Sequence, residues 1–348
     1  MRAKHTAFRI GDASVEPGAH IVVDLPVSKL SNHTPVTLPV RVFHGRRDGP
    51  TLFVSGVIHG DEIIGVEIIR RLCRVAPLRR LRGTLLCIPI VNVFGFISHS
   101  RYLPDRRDLN RSFPGSPNGS LAAQLAHIFT NEIVARSDFG IDLHSAALNR
   151  TNLPQLRLDF AHGRSLELAK AFGAPVVINS PERPGSLRLT GKDHNVDVVT
   201  YEAGEALRFD EFAVRAGVRG ILRVMKALGM VSQRSVADAR TQPILSEAST
   251  WVRAPESGIL RTFKTTGESI TVNDVLGVIA NPYEDIESEV RSTAPGLIIG
   301  RTNLPVVNQG DALFHVARVP SGPHAERKVG AIETELDGDP IFDEDEII

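Results

Sequence analysis

The sequence predicts an α/β fold, with a mixed and mainly parallel sheet flanked by helices, followed by a C-terminal all-β domain. Two observations lead to this prediction. Between about residues 50 and 230, apolar runs of five to eight residues alternate with segments of helical period, which is typical of a buried sheet between helices. Beyond about residue 243 the helical period disappears, and short strand-like segments punctuated by Gly and Pro continue to about residue 319.

The first element is a group of short strands within residues 1–48, where apolar and polar residues alternate between Gly, Pro and Asn turns. We expect these strands to join the main α/β domain, which we place at residues 49–242. Four segments of this domain have helical period, at about 62–75, 119–136, 164–173 and 209–228. These segments are the helices predicted to cover the sheet.

A weak internal repeat marks the C-terminal domain, which we place at residues 243–320. An Ala-Pro turn with a nearby Gly and a later Asp-x-Leu occur in segment 254–276 and again in segment 293–313, as two similar half-barrels would show. The pattern resembles the barrel-sandwich fold of biotinyl and lipoyl domains, but the turn between the halves has no Lys for a swinging arm. Residues 321–348 are rich in acidic side chains, and we expect a mobile, solvated tail there.

The composition excludes several classes of protein. The chain has 40 Lys+Arg and 40 Asp+Glu, so its formal net charge is zero and creates no field that attracts nucleic acid or an anionic membrane. No apolar run approaches the roughly 20 residues of a membrane span, and the N-terminal segment lacks the apolar centre of a secretory signal. The 2 cysteines are too few for a disulfide framework. We therefore expect a cytoplasmic protein without nucleic-acid or membrane partners, in which His and carboxylates hold any metal.

Four apolar runs of the α/β domain end in residue types that perform chemistry. Run 51–58 ends at His59, run 84–91 at Asn92, run 139–143 at His144 and run 198–201 at Glu202. If the runs are strands of one sheet, their carboxyl ends line one crevice, where open α/β sheets bind ligands. We therefore expect these four side chains to converge.

His59, Glu62 and His144 form a candidate metal site. Gly60 permits a tight turn, so that an imidazole and a carboxylate three residues apart meet one ion. His144 adds a third ligand from another strand end, and a His/Glu/His set leaves one tetrahedral position for water, as in catalytic zinc sites. Taken singly, Glu62 can also be interpreted as a carboxylate that the helix dipole favours at a helix N-terminus. Each His can likewise be interpreted as an ordinary hydrogen-bonded residue. The spacing alone leaves both interpretations open.

A resemblance to a known family rests on five motifs in order along the chain. They are Gly56-Val-Ile-His59-Gly-Asp-Glu62, Arg101-Tyr, Asp108-Leu-Asn110-Arg111-Ser-Phe-Pro-Gly115, Asp142-Leu-His144 and Tyr201-Glu202-Ala-Gly204. In this combination the chain resembles the succinylglutamate desuccinylase/aspartoacylase family, which is related to the zinc carboxypeptidases. The C-terminal strands also resemble the C-terminal barrel of that family. The resemblance therefore implies a zinc-carboxypeptidase-like α/β domain followed by a barrel-sandwich-like domain.

The resemblance implies that His59, Glu62 and His144 hold one Zn²⁺ per chain. Zinc lowers the pKa of bound water toward about 7. Glu202 would accept the proton of this water during attack on an amide or ester carbonyl, and would then pass the proton to the leaving amine. Glu205 is a competing candidate for the base, but Glu202 directly ends its apolar run and occupies the position of the family motif.

The resemblance further implies substrate contacts in the polar loop 101–117. Arg111 would grip a carboxylate through two parallel hydrogen bonds, with Asn110 as a neutral donor beside it. Arg101 would stabilise the charge that develops on the carbonyl oxygen. The alternative is that Asp108, Asn110 and Arg111 only pin an irregular loop.

The predicted function is a zinc-dependent deacylase that hydrolyses the amide bond of a small N-acyl amino acid or a related carboxylated compound. Two alternatives stay open: a carboxypeptidase or amidase acting on peptide-like substrates, and a metal-bearing binding module without turnover. A binding module needs no base beside a metal, so Glu202 favours an enzyme. The acyl group, the amine half, the native metal and the question of a homo-oligomer are left open by the sequence.

Overall fold

The computed structural model describes residues 6–161, 163–319 and 322–337. The helices in these ranges are α1 (Ile64–Leu72), α2 (Val93–Ile97), α3 (Leu121–Glu132), α4 (Ser165–Phe172), α5 (Leu187–Asp193), α6 (Glu211–Ala227) and α7 (Gly322–Asp337). The strands up to residue 205 are β1 (Phe8–Ile10), β2 (Ala13–Val15), β3 (His20–Lys29), β4 (Pro35–His44), β5 (Arg47–Gly56), β6 (Arg82–Ile88), β7 (Phe139–Ala146), β8 (Arg150–Leu158), β9 (Val176–Asn179) and β10 (Asp197–Glu205). The later strands are β11 (Ile244–Ser246), β12 (Ser249–Arg253), β13 (Gly258–Thr262), β14 (Ser269–Ile270), β15 (Val275–Ala280), β16 (Glu287–Arg291), β17 (Gly296–Thr302), β18 (Val306–Val307) and β19 (Ala312–Ala317).

A 13-stranded sheet runs through most of the molecule. Its strands lie in the order β12, β19, β17, β8, β10, β7, β5, β6, β4, β3, with β9, β11 and β14 attached beside this path. At the centre, β10, β7, β5 and β6 are parallel neighbours, so their carboxyl ends share one edge. The four apolar runs are these four strands, which confirms the prediction that they belong to one sheet.

Helices cover both faces of the central strands. Alternate residues of β5 point to opposite faces, with Leu52 in one apolar cluster and Phe53 in the other. The first cluster also contains residues of α1, α4 and α6. The second contains Phe129 of α3, and the Phe129 ring packs edge-on against the Phe53 ring. The four segments predicted as helices are α1, α3, α4 and α6. No helix in the described part of the chain is both long and apolar enough to cross a lipid bilayer.

The C-terminal strands continue the central sheet. β17 pairs antiparallel with β8, so that Gly300 lies opposite Asn152 and Thr302 lies opposite Arg150. β19 and β12 extend the sheet beyond β17, while β16, β15, β13 and β18 form a separate four-stranded sheet. One apolar cluster contains residues from both sheets. Leu260 of β13 belongs to it, as do residues of β17 and β19. Hydrogen bonding between β17 and β8 therefore joins the C-terminal strands directly to the α/β part.

The C-terminal region differs from its prediction. We expected a mobile acidic tail over residues 321–348, but residues 322–337 form α7. The buried residues of this helix are Ala325, Val329, Ile332 and Leu336. They are spaced three or four residues apart and form one apolar stripe, which the many acidic residues conceal in the composition. Glu335 also pairs with Arg223 of α6. Residues 338–348 lie outside the described residues.

Candidate active site

A cavity of about 270 Å³ opens at the edge where β5, β7 and β10 end. Three of the four predicted strand-end residues line it, namely His59, His144 and Glu202. The fourth, Asn92, is fully buried and caps α2, where its side chain accepts a hydrogen bond from the Gly95 N–H at 2.8 Å. Its strand, β6, lies on the far side of β5 from β7. The prediction that all four ends converge is therefore wrong for Asn92.

His59, Glu62 and His144 meet in this cavity. The Glu62 carboxylate lies between the two imidazoles, with Oε1 2.7 Å from His59 Nδ1 and Oε2 2.7 Å from His144 Nδ1. One ligand atom from each residue lies within 4.8 Å of the other two. All three side chains are buried, with at most 6% of their surface exposed. Three convergent donors in so small a space form a candidate metal site.

The hydrogen bonding of His59 supports a metal ion at this position. Its buried Nδ1 forms no hydrogen bond, because the 2.7 Å contact with Glu62 lacks hydrogen-bond geometry. A buried imidazole nitrogen without a partner is costly, and a bound metal ion would satisfy it. Two imidazoles and one carboxylate are also a donor set of catalytic zinc sites. Within the described ranges, this is the one group of His, Cys, Asp or Glu residues that converges in this way.

A carboxylate in contact with Nε2 orients the ring of each histidine. Asp142 Oδ2 lies 2.6 Å from His144 Nε2, and Asp142 Oδ1 accepts a hydrogen bond from the Ser55 hydroxyl at 2.8 Å. Asp108 Oδ1 lies 3.1 Å from His59 Nε2. Carboxylates in these positions favour a proton on each Nε2, so that each Nδ1 presents its lone pair to a metal ion.

The close approach of these groups shifts their pKa values. Burial by itself would raise the pKa of Glu62, but His59 and His144 hold it far below its ordinary value. Burial would lower the pKa of His144, yet Asp142 and Glu62 raise it well above its ordinary value. Glu62 is therefore ionised at neutral pH, as a metal-binding carboxylate must be.

The turn between β5 and α1 positions His59 and Glu62. Two residues before His59, Val57 has a φ of +58°, an uncommon conformation for a β-branched residue. At Gly60 a Cβ atom would lie 2.0 Å from the backbone of Gly95, so the turn has room only for glycine. Glu62 follows in this turn, two residues before α1 begins.

Glu202 reaches the cavity from the strand next to that of His144. The two residues lie opposite each other in the parallel pairing of β10 with β7. The register shifts directly after Glu202, and Gly204 has a φ of +69°, which indicates a β-bulge of the kind that redirects a side chain near an active site. Glu202 Oε2 accepts a hydrogen bond from Asn152 Nδ2 at 3.0 Å and lies 3.2 Å from Arg157 Nε.

Glu205, the competing candidate for a base, has a different environment. Its oxygens accept hydrogen bonds from the Asn149 N–H at 3.0 Å and from Asn303 Nδ2 at 2.9 Å. Its side chain is not part of the cavity lining, whereas that of Glu202 is. Of these two carboxylates, only Glu202 lines the cavity that contains the candidate metal site.

Arg101, Asn110 and Arg111 also line the cavity. Arg101 donates to Glu62 Oε1 at 2.9 Å and to Asp108 Oδ2 at 3.1 Å, which holds it beside the metal site. The side-chain oxygen of Asn110 accepts a hydrogen bond from the first N–H of α5 at 3.0 Å. Arg111 is exposed and donates to the main-chain carbonyl of Asn110. The loop is therefore pinned at Asp108 and Asn110, and it also brings three donor side chains to the cavity.

Twelve further residues of the cavity lining were not predicted from the sequence. Among them are Arg150, Asn152, Arg157, Arg183, Arg188 and Trp251. The first three lie on β8, directly after the strand of His144, and that position is a signal that sequence reasoning could have used. Trp251 is the single tryptophan of the chain and comes from β12, far from the other site residues in sequence. Burial lowers the pKa of Arg188 from its ordinary value.

Relatives of the chain are found among known sequences. A family model for the succinylglutamate desuccinylase/aspartoacylase catalytic domain matches residues 48–228. The N-alpha-acetyl-L-2,4-diaminobutyric acid deacetylase of Halomonas elongata is 30% identical over 317 residues, which cover 86% of this chain and 91% of that protein. The family match includes all three residues of the candidate metal site, His59, Glu62 and His144.

Solved structures share the fold. The succinylglutamate desuccinylase/aspartoacylase from Rhodobacter sphaeroides aligns with a TM-score of 0.75 and 26% identity, covering 86% of this chain and 95% of that one. The product-bound ectoine utilization protein EutE (DoeB) from Ruegeria pomeroyi aligns with a TM-score of 0.76 and 23% identity, covering 86% of this chain and 94% of that one. The family match spans more than half of the residues. The chain belongs to the succinylglutamate desuccinylase/aspartoacylase family.

Proposed function

We propose that this protein is a zinc-dependent deacylase that hydrolyses the amide bond of a small N-acyl amino acid or a related carboxylated compound. The observation that supports this most is the position of Glu202 opposite His144, beside a buried cluster that could hold one metal ion. The relative from Halomonas elongata is named as a deacetylase of an N-acetylated amino acid, which supports the same reaction class here.

His59, Glu62 and His144 would hold the zinc ion. Zinc bound there would supply a Lewis acid that activates water and polarises the carbonyl group of the substrate. Glu202 would accept a proton from the attacking water and transfer it to the leaving amine. The described contacts of Glu202 engage Oε2, which leaves Oε1 to carry this proton.

We infer that Arg101 stabilises the negative charge that develops on the carbonyl oxygen of the substrate. Its guanidinium is held in place by two carboxylates, and each engaged nitrogen retains a second N–H that can donate to the substrate. Asn110 and Arg111 would bind the substrate carboxylate, since an amide and a guanidinium side by side offer several parallel donors.

The C-terminal β domain, which we relate to the barrel-sandwich fold, would restrict the size of the substrate. Trp251 belongs to this domain and forms part of the cavity wall. A cavity of about 270 Å³ suits a small molecule. This size favours an N-acyl amino acid over the longer peptides that a carboxypeptidase accepts.

The test is hydrolysis by purified protein of known zinc content, measured on N-acyl amino acids and on dipeptides. We expect about one zinc ion per chain, release of the free amino acid from an N-acyl amino acid, and loss of turnover with a chelator that added Zn²⁺ reverses. Preference for dipeptides would favour the carboxypeptidase alternative, and zinc binding without any turnover would favour a binding module. A protein that binds no metal when zinc is supplied would overturn the proposal.

A further inference from the structure

A second cavity, of about 940 Å³, lies at the edge of the sheet opposite to the candidate active site. β5 begins beside this cavity at Arg47 and β6 begins there at Arg82, so we name it the amino-edge cavity. β5 spans 10 residues and rises about 3.3 Å per residue, which places the two cavities on the order of 30 Å apart. A small molecule in the amino-edge cavity therefore does not touch the candidate metal site.

The lining of the amino-edge cavity is strongly basic. No Asp or Glu of the described chain belongs to it, and its five arginines are Arg46, Arg47, Arg79, Arg80 and Arg82. All five are exposed, and none has a carboxylate partner among the residues that the structure describes. By contrast, Arg70 and Arg71 of the nearby helix α1 are both paired with Glu67. Because the chain has zero formal net charge, this cavity is a local concentration of unneutralised positive charge.

Arg47 and Arg82 place two like charges side by side. They lie opposite each other in the parallel pairing of β5 with β6, where neighbouring strands are about 4.8 Å apart. Main-chain packing fixes this arrangement, because a Cβ atom at Gly83 would lie 2.0 Å from the carbonyl oxygen of Pro50. Like charges directly opposite each other destabilise a sheet, and an anion bound between them would remove the repulsion.

Arg46 is also held in position. A Cβ atom at Gly18 would lie 2.8 Å from Cγ and Nε of Arg46, so the arginine side chain packs directly on the main chain at Gly18. Gly18 has a φ of +91°, which favours glycine, and its N–H donates to the carbonyl of His44 at 2.8 Å. The Arg46 stem therefore rests on a fixed turn, and less side-chain entropy is lost when its guanidinium binds a ligand.

An aromatic pair forms another part of the lining. His20 and Phe43 lie opposite each other on β3 and β4, and their rings stack with 5.7 Å between the centres and 17° between the planes. Phe43 is buried, whereas His20 is exposed and can stack on a planar group of a ligand. A volume of about 940 Å³ is also within the range of small-molecule sites.

We propose that the amino-edge cavity binds the polyphosphate group of a small molecule. The forked donors of adjacent guanidinium groups match phosphate oxygens, and a chain of phosphates brings several negative charges close together. The described lining has no carboxylate that could hold Mg²⁺, so the arginines would neutralise the phosphates directly. This site is separate from the deacylase reaction, and the inference does not depend on the proposed function.

Calorimetry with four probes tests this inference. ATP and inorganic triphosphate carry the proposed group, adenosine carries only the base and sugar, and citrate is a trianion without phosphate. We expect the zinc-loaded protein, without added Mg²⁺, to bind both polyphosphates at least about tenfold more tightly than citrate or adenosine. Tighter binding of ATP than of triphosphate would identify a nucleotide as the ligand, through the His20 ring, and equal binding would identify the phosphate chain alone.

The double variant Arg47→Met/Arg82→Met should weaken binding of both polyphosphates by at least about 30-fold. The metal site and its arginines are the same in both proteins, so the difference reports on the amino-edge cavity alone. Arg82→Lys keeps the charge without the forked donors and should have an intermediate affinity. Without ligand, the double variant should unfold at a temperature no lower than that of the wild type, because the like charges are removed.

Arg74→Met is the matched control, because Arg74 is exposed and close in sequence but does not line the cavity. We expect it to change the affinity for triphosphate by less than about threefold. Polyphosphate binding that is absent from the wild type, unchanged in the double variant or no tighter than that of citrate would overturn the inference. Tighter binding of a short single-stranded DNA than of ATP would also overturn it and indicate a nucleic-acid surface.

Discussion

Glu202 and His144 lie opposite each other on neighbouring parallel strands, β10 and β7. Their separation is therefore set by the hydrogen bonding of a buried sheet and not by the conformation of a loop. A base that sits on a strand end can face a metal ligand without moving when the metal binds. A change confined to the Glu202 carboxylate should therefore lower turnover and leave metal binding unchanged.

Glu202→Gln should lower kcat by about a thousandfold, because an amide cannot accept the proton that general base catalysis requires. Zinc content should stay at the wild-type level, since Glu202 is not one of the three convergent ligands. Steady-state kinetics and elemental analysis of the same preparation measure both quantities. Loss of zinc together with activity would instead mean that Glu202 is a ligand.

Glu205→Gln is the matched control for this experiment. Glu205 is also a carboxylate of β10, but its oxygens are engaged by Asn149 and Asn303. We expect kcat to stay within a few-fold of the wild-type value. A loss of kcat similar to that of Glu202→Gln would remove the distinction between the two residues.

Asp142→Asn should weaken metal binding about 10- to 100-fold, because Asp142 orients the His144 ring through a 2.6 Å contact with Nε2. The measurement is competition for zinc with a chelator of known affinity. Ser55→Ala removes only the hydroxyl that donates to Asp142, so its effect should be smaller. An unchanged zinc affinity in Asp142→Asn would show that the ring keeps its orientation without this carboxylate.

The centre of the sheet and the metal site were predictable from local patterns. His59, His144 and Glu202 each follow a long apolar run, and the polarity of parallel strands then brings such residues to one edge. Glu62 follows His59 within one turn, so its proximity to His59 can be predicted without knowledge of the fold. Asn92 also follows an apolar run, yet its side chain caps a helix. The apolar runs do not reveal the order of the strands across the sheet, so this difference could not be predicted from them.

The wall formed by Arg150 and Trp251 was not predictable in the same way. Their strands, β8 and β12, are far apart in sequence and are connected in the sheet through β17 and β19. Pairing between distant strands leaves no local periodicity in the sequence. α7 was not predicted for another reason: its apolar residues recur at helical spacing, but acidic residues dominate the composition of that segment.

Ile332→Ala tests whether α7 stabilises the fold. Ile332 is 4% exposed and belongs to the apolar cluster that also contains residues of α6. Removing its larger side chain should lower the free energy of unfolding by about 2–4 kcal/mol, as measured by urea denaturation. Arg327→Ala, at an exposed position of the same helix, should change it by less than about 0.5 kcal/mol. Equal small effects of both substitutions would indicate that α7 contributes little to stability.

The pH dependence of stability should depend on His315. Its pKa of about 3 in the folded protein lies below the value of about 6.5 expected in the unfolded chain. Between these values the unfolded state binds a proton that the folded state does not, so stability falls as the pH drops below about 6.5. The ring is in contact with Ser249 and Trp251 and close to Arg157, and none of these titrates between pH 5 and 7. Lowering the pH from 7 to 5 should therefore cost the wild type about 2 kcal/mol more than it costs His315→Phe, which keeps a ring on Trp251. Urea denaturation of both proteins at the two pH values measures this difference, and equal losses would mean that His315 is protonated in the folded protein.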